Sequence, residues 1–187
     1  MRQNLIRFFF GVLFTPVAIL LHECGHYMTA AALGLAPHLH FAYTTANYPG
    51  TPYTIGLVTA AGPTATALMV IAGFFWLWQL RHDRLQAPVT PTEWFATFLV
   101  LCAARWLRGS ISVLHGEPND EARLSASVGF PQWLLPYLLA PVALAVLIAA
   151  VRLHPRGSRL VPFGSAVLGI CFGVVLWLKV IGPRLLP

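Results

Sequence analysis

Charge is what this sequence has least of. Only 10% of its 187 residues are Asp, Glu, Lys or Arg, and just six are acidic. A soluble globular domain carries about 25% charged residues, so the composition excludes that class and defines an integral membrane protein. Cysteine is scarce as well. Cys24, Cys102 and Cys171 each fall inside an apolar run, where a free thiol behaves as a small hydrophobe; no disulfide framework is expected. The 12 basic residues form no stripe. They lie scattered at the ends of apolar runs, as interfacial anchors do, which argues against a nucleic-acid partner and for a lipid bilayer. Internal repeats and low-complexity tracts are absent too. What is present is apolar: 57% of the chain is hydrophobic.

Within the first apolar run stand His22, Glu23 and His26, in the order His-Glu-x-x-His. On a helix the two histidines lie one turn apart on one face. Imidazoles so placed can hold one Zn²⁺ at about 2.0–2.1 Å from each nitrogen. Glu23, one step round the helix, is placed to take a proton from water at the metal. The five-letter motif alone recurs by chance, and its surroundings make it specific. From Phe8 to Leu35 the only formally charged side chain is Glu23. A carboxylate at the centre of a spanning helix costs about 2.5–3.5 kcal/mol on insertion scales. Three ionisable groups in five residues at that depth need a compensating partner, and a metal ion is the simplest. The alternative is a pair of core histidines hydrogen-bonded to neighbouring helices beside a protonated Glu. Cys24 points about 200° away from His22 at 100° per residue, so it is assigned to packing. A cleavable signal peptide is not expected, because the first apolar run carries the motif.

Taken in order, the chain reads as five spans, about 5–33, 56–80, 94–114, 133–151 and 162–181. Pro16 lies two turns before His22 and either makes a tolerated kink or opens the helix to water near the site. Residues 36–56 are aromatic- and Thr-rich around Asn47-Tyr48-Pro49-Gly50. They are expected to form a small β-hairpin with a Pro-Gly turn, whose edge can accept an extended peptide; an interfacial loop is the other reading. His38 and His40 are assigned to the loop surface rather than to a metal. The second span opens with Thr59-Ala60-Ala61-Gly62-Pro63-Thr64-Ala65-Thr66, small residues suited to close packing against the metal helix. Residues 81–91 read as a polar loop, with a helix starting near Thr92 and Glu93. Arg105 and Arg108, one turn apart, either snorkel to the interface or pair with a carboxylate near the metal.

After the third span comes His115-Gly116-Glu117-Pro118-Asn119-Asp120-Glu121, with three of the six acidic residues in five positions. A catalytic zinc site with two histidines needs a third protein ligand and an open position. Asp120 is the first choice, with Glu121 and Glu117 behind it; the competing role is an Asn119 or Asp120 cap on a short helix. In the last span Ser165, Gly169 and Gly173 repeat at four-residue spacing, a close-packing pattern assigned to the scaffold, with a homo-oligomer face as the second possibility. Five spans put the termini on opposite sides. A cytoplasmic N-terminus places seven Arg on that side (2, 7, 81, 84, 152, 156 and 159) against at most five basic residues on the other (105, 108, 123, 179 and 184), which favours that orientation.

The set His22-Glu23-Cys24-Gly25-His26, then Gly62-Pro63 early in the next span, then an Asp after the third, resembles the site-2 protease family of intramembrane zinc metalloproteases. The resemblance covers about residues 15–122. It implies a three-helix catalytic core, here about 5–122, with accessory helices at about 132–181 in one domain spanning 1–187. It also implies zinc on the two histidines and a later Asp, with the Glu activating water. A β-structured segment, here 38–55, is implied to guide a membrane-protein or peptide substrate, with Gly62, Pro63 and the residue at position 66 on the substrate side. Thr66 stands where the family has Asn, and Glu121 follows Asp120 where the family has Gly. The expectation is therefore an all-α polytopic protein of a bacterial cell membrane, with five transmembrane helices and a small hairpin between the first two, acting as an intramembrane zinc metalloprotease. The alternatives are a proteolytically inactive metal-binding subunit that stabilises a partner, and a zinc hydrolase of a non-peptide bond.

Overall fold

The computed structural model describes residues 2–46, 51–84 and 87–187. Helix α1 runs Arg2–Ala32 and α2 Pro52–Arg81; between them lie strands β1, Pro37–Leu39, and β2, Thr44–Ala46. Next come α3, Pro91–Leu101, α4, Ala104–Leu114, and the short α5, Asp120–Ser127. Helix α6 spans Leu134–Leu153 and α7 Leu160–Leu176; a π-helical turn at Trp177–Ile181 leads into α8, Gly182–Leu185. Among the described residues, five segments are long and apolar enough to cross a membrane: Arg2–Ala32, Tyr53–Arg81, Pro91–Leu114, Leu134–Leu153 and Leu160–Leu185. Large apolar side chains such as Leu13, Leu68, Leu160 and Phe172 stand on their outer faces. That arrangement suits lipid and would be costly in water.

The helices stop and start where local chemistry requires it. Thr51 caps α2, its hydroxyl accepting from the Thr54 N–H, with Pro52 in the first turn where its missing N–H costs nothing. The segment 51–55, expected to complete the hairpin, is therefore helix. Thr90 caps α3 in a reciprocal capping box with Glu93, again with a following proline. This start lies two residues ahead of the expected Thr92. The third span is not one rod. At Cys102 and Ala103 the bonds shorten to i→i−3 (Cys102 N–H to Leu99 O, Ala103 N–H to Val100 O, Arg105 N–H to Cys102 O), and the helix restarts at Ala104. This tight turn divides α3 from α4.

Close approach of backbones holds α1 in the bundle. It packs on α7 through glycines: a Cβ on Gly169 would run into the Phe8 carbonyl, and one on Gly173 into Thr15 at 2.7 Å. Two members of the Ser165–Gly169–Gly173 stripe are thus used inside the chain, as scaffold. Helix α1 also packs on α2, which packs in turn on α3, α5 and α6. Aromatic side chains fill the core: Phe14, Trp94, Phe98 and Phe163 form one cluster, and Trp106 with Val70 and Ala143 a second.

The sheet is a hairpin, paired antiparallel with Pro37 opposite Ala46, His38 opposite Thr45 and Leu39 opposite Thr44. Its turn is at His40–Tyr43, closed by the His40 N–H to the Tyr43 carbonyl at 2.9 Å. The expected Pro-Gly turn at 47–50 lies outside the described residues. The hairpin is tied to the C-terminal end, where Trp177 Nε1 donates to the Phe41 carbonyl at 2.7 Å.

Candidate metal centre

The α1–α2 crossing is built for two imidazoles. Gly25 presses on Ala61, leaving 2.6 Å between a built Cβ and the Ala61 carbonyl oxygen. A Cβ on Gly62 would collide with Nε2 of both His22 and His26. Only glycine at 62 leaves room for the rings. Pro63 is buried in the same turn. The two rings are nearly enclosed, with His22 1% and His26 7% exposed.

The other ring nitrogens are held. His26 Nδ1 stands 2.6 Å from the Val58 carbonyl. A carbonyl only accepts, so Nδ1 carries the proton and Nε2 presents a lone pair. His22 Nδ1 is 2.8 Å from the Thr66 hydroxyl, which orients that ring in the same sense. Thr66, expected on the substrate side, is placed against this imidazole. A single hydroxyl at this position supplies the hydrogen bond that the ring needs.

The third group arrives on α5. Asn119 caps that helix, its side-chain oxygen accepting from the Ala122 N–H at 2.8 Å. The cap turns Asp120, at the first helical position, back toward α1. Asp120 Oδ2 lies 3.0 Å from His22 Nε2 and 3.5 Å from His26 Nε2, and the two Nε2 atoms are 3.2 Å apart. The roles of cap and site residue, set against each other from sequence, fall to neighbouring residues and coexist. Burial alone would raise the Asp120 carboxyl; without a metal, an Nε2–H donated by either imidazole in its protonated form holds it below the ordinary carboxylate range, and a metal ion would take the place of that proton. Glu121 is buried with Oε1 unpartnered, and burial raises its carboxyl. Glu117 is exposed. Neither belongs to the cluster: among the described residues, the His/Cys/Asp/Glu group able to hold a metal is His22, His26 and Asp120.

The fit to a metal is geometric. Four ligands about 2.05 Å from a tetrahedral ion stand about 3.3 Å apart, and the three separations here bracket that value. Three ligand atoms converge closely enough to hold a metal ion. Cys24 is not part of the group, nor are His38 and His40. His40 instead faces the Pro187 carbonyl at 2.5 Å and the Thr45 hydroxyl at 3.2 Å.

Two more side chains complete the surroundings. Glu23 is 4% exposed. Thr44 on β2 donates to the Glu23 carbonyl at 3.1 Å, and its hydroxyl stands 3.4 Å from Glu23 Oε2, so the hairpin covers the carboxylate. Arg105, in the first turn of α4, brings Nη2 to 2.8 Å from His22 Nε2 and 3.2 Å from Asp120 Oδ2. Of the two sequence readings for this arginine, the structure adopts pairing with a carboxylate. Sequence reasoning had no means of finding the Val58 carbonyl, which is backbone, or the contact of Thr44 with Glu23. No protein-family model, curated protein or solved structure matches the chain.

Proposed function

We propose that this protein is an intramembrane metalloprotease of the site-2 protease type, hydrolysing a peptide bond of a membrane-protein substrate with zinc on His22, His26 and Asp120. The observation that carries this reading is the convergence of those three ligand atoms beside a buried glutamate, with His22, Glu23 and His26 on a helix long and apolar enough to span a membrane and Asp120 on the short α5. Zinc held there would polarise the scissile carbonyl and lower the pKa of water to about 7. The rest is the work of the chain. Val58 and Thr66 hold the imidazoles with Nε2 inward. Glu23 takes the proton of the attacking water as its oxygen bonds to the carbonyl carbon, then delivers that proton to the departing amine as the C–N bond breaks. Thr44 keeps the carboxylate in place. A peptide bond inside a helix has its carbonyl hydrogen-bonded, so the substrate must be unwound first. The free edges of the 37–46 hairpin, next to Glu23, can hold it extended by strand pairing.

The test compares wild type with Glu23→Gln on a panel of single-span substrates. The expected outcome is cleavage by wild type and loss of at least a hundredfold in the variant, with zinc content unchanged. Full activity in the variant sinks the mechanism. Cleavage by neither protein, with zinc bound in both, favours the second reading, a metal-binding membrane subunit; Thr66 in place of the family's Asn is the observation that motivates it.

A further inference from the structure

We infer that Arg105 is the group that receives the carbonyl oxygen of the substrate, a role that rests on the metal-dependent hydrolase reading above. Its Nη2 sits against one edge of the acceptor triangle, 2.8 Å from His22 Nε2 and 3.2 Å from Asp120 Oδ2. With three corners of a tetrahedron taken by His22, His26 and Asp120, that edge borders the corner left for a reacting oxygen. A guanidinium there presents N–H donors to an oxygen that gains negative charge as the carbonyl is attacked, and fixed donors of this kind favour the transition state over the ground state.

Two independent features support this. First, Arg105 lines two cavities of different character, together with Arg108 and Ile19. One, about 370 Å³, is lined by Phe14, Ile19, Met69, Phe98 and Val174, and Arg105 and Arg108 are its only charged lining residues. The other, about 160 Å³, is lined by Ser112, Asn119 and Glu121 besides the same two arginines. Apolar side chains flanking a scissile bond fit the first, and water fits the second; Arg105 lines both. Second, the helix is built to aim it. The tight turn at Cys102–Ala103 contains neither Pro nor Gly, yet it breaks a membrane-spanning helix one turn before Arg105. Just beyond that turn Trp106 is buried in the core while Arg105 reaches the cluster, its side chain 32% exposed. A snorkelling arginine needs no such break.

The test uses the full-length protein in detergent, loaded with Co²⁺, and reads the visible d–d spectrum. Acetate, a small carboxylate, is the probe of the oxygen site. Arg105→Gln is expected to bind Co²⁺ at least as tightly as wild type, since a positive charge is removed, and to bind acetate about tenfold or more weakly, the loss of one charge-assisted hydrogen bond. Arg105→Lys, which keeps the charge without the planar fork, falls between. Arg123→Gln, which removes an exposed charge on α5, matches wild type. Unchanged acetate affinity in Arg105→Gln overturns the proposal. Loss of Co²⁺ in that variant also overturns it, because Arg105 would then be a prop for Asp120. Failure of wild type to bind Co²⁺ removes the metal centre itself and the hydrolase reading with it.

Discussion

Near the start of α1 and the end of α2, Arg81, Glu93 and His154 are buried together; toward the other end of the same bundle, so are His22, Glu23 and His26, with Asp120 half-buried beside them. Arg81 lies 15 residues beyond Thr66 on α2, about 22 Å at 1.5 Å per residue. The first group is sealed from solvent. Arg81, 0% exposed, donates from Nε to the Leu153 carbonyl and from Nη1 to the Ala87 carbonyl, both at 3.0 Å, and faces Glu93 at 3.5 Å. Glu93 accepts from the Thr90 N–H, and His154 pairs with the Thr97 hydroxyl. Cation and anion come from the same chain. In the second group three ligand atoms face a common point, and Arg105, which pairs with Asp120 at 3.2 Å, keeps a side chain 32% exposed. Buried charge that compensates itself is scaffold. Ionisable groups that converge on one point beside a partly exposed cation are a candidate site.

The largest effect expected is on metal. Asp120→Ala removes one of three acceptors and should lower zinc affinity by at least a hundredfold, measured by competition with a chelator, while the fold survives. Glu93→Ala should do the reverse. Leaving Arg81 without its anion in the interior should cost about 3–5 kcal/mol of stability, read as a fall in melting temperature, with zinc affinity of the folded fraction unchanged. If Glu93→Ala loses zinc while remaining folded, the two ends are not independent.

A smaller effect is expected from pH. Burial, with the charges of Arg81, Arg7 and Arg159, lowers the His154 imidazole to about 4. The unfolded chain therefore takes up a proton near 6.5 that the folded chain refuses until about 4. Stability is full above that window and falls as pH drops through it, by about 2 kcal/mol between pH 7 and 5. His154→Gln should flatten this part of the profile in metal-free protein; an unchanged slope would mean that other groups carry it. Smallest is Thr66→Val, expected to weaken zinc binding by about tenfold through a misoriented His22. No change would show that Gly62 and Val58 suffice to hold the rings.

The five spans were legible because hydropathy follows the bilayer directly, and His22, Glu23, His26 and Asp120 because ionisable residues stand out against an apolar sequence. The rest was hidden for physical reasons. The turn at His40–Tyr43 carries no turn signature, whereas Pro49-Gly50 does, and the strands are only three residues each. The break at Cys102 has no Pro or Gly to mark it, so the approach of Arg105 stayed one of two readings. Arg81 looked like an interfacial anchor because much of what satisfies it, the carbonyls of Leu153 and Ala87, is backbone and leaves no trace in residue identity.

The most direct test is X-ray absorption at the zinc edge on the purified protein. One zinc per chain, with two imidazole nitrogens at about 2.0–2.1 Å, a carboxylate oxygen at about 2.0–2.2 Å and no sulfur, is the predicted result. Protein without zinc after growth in zinc-replete medium, or zinc bound by sulfur at about 2.3 Å, contradicts a centre made of His22, His26 and Asp120.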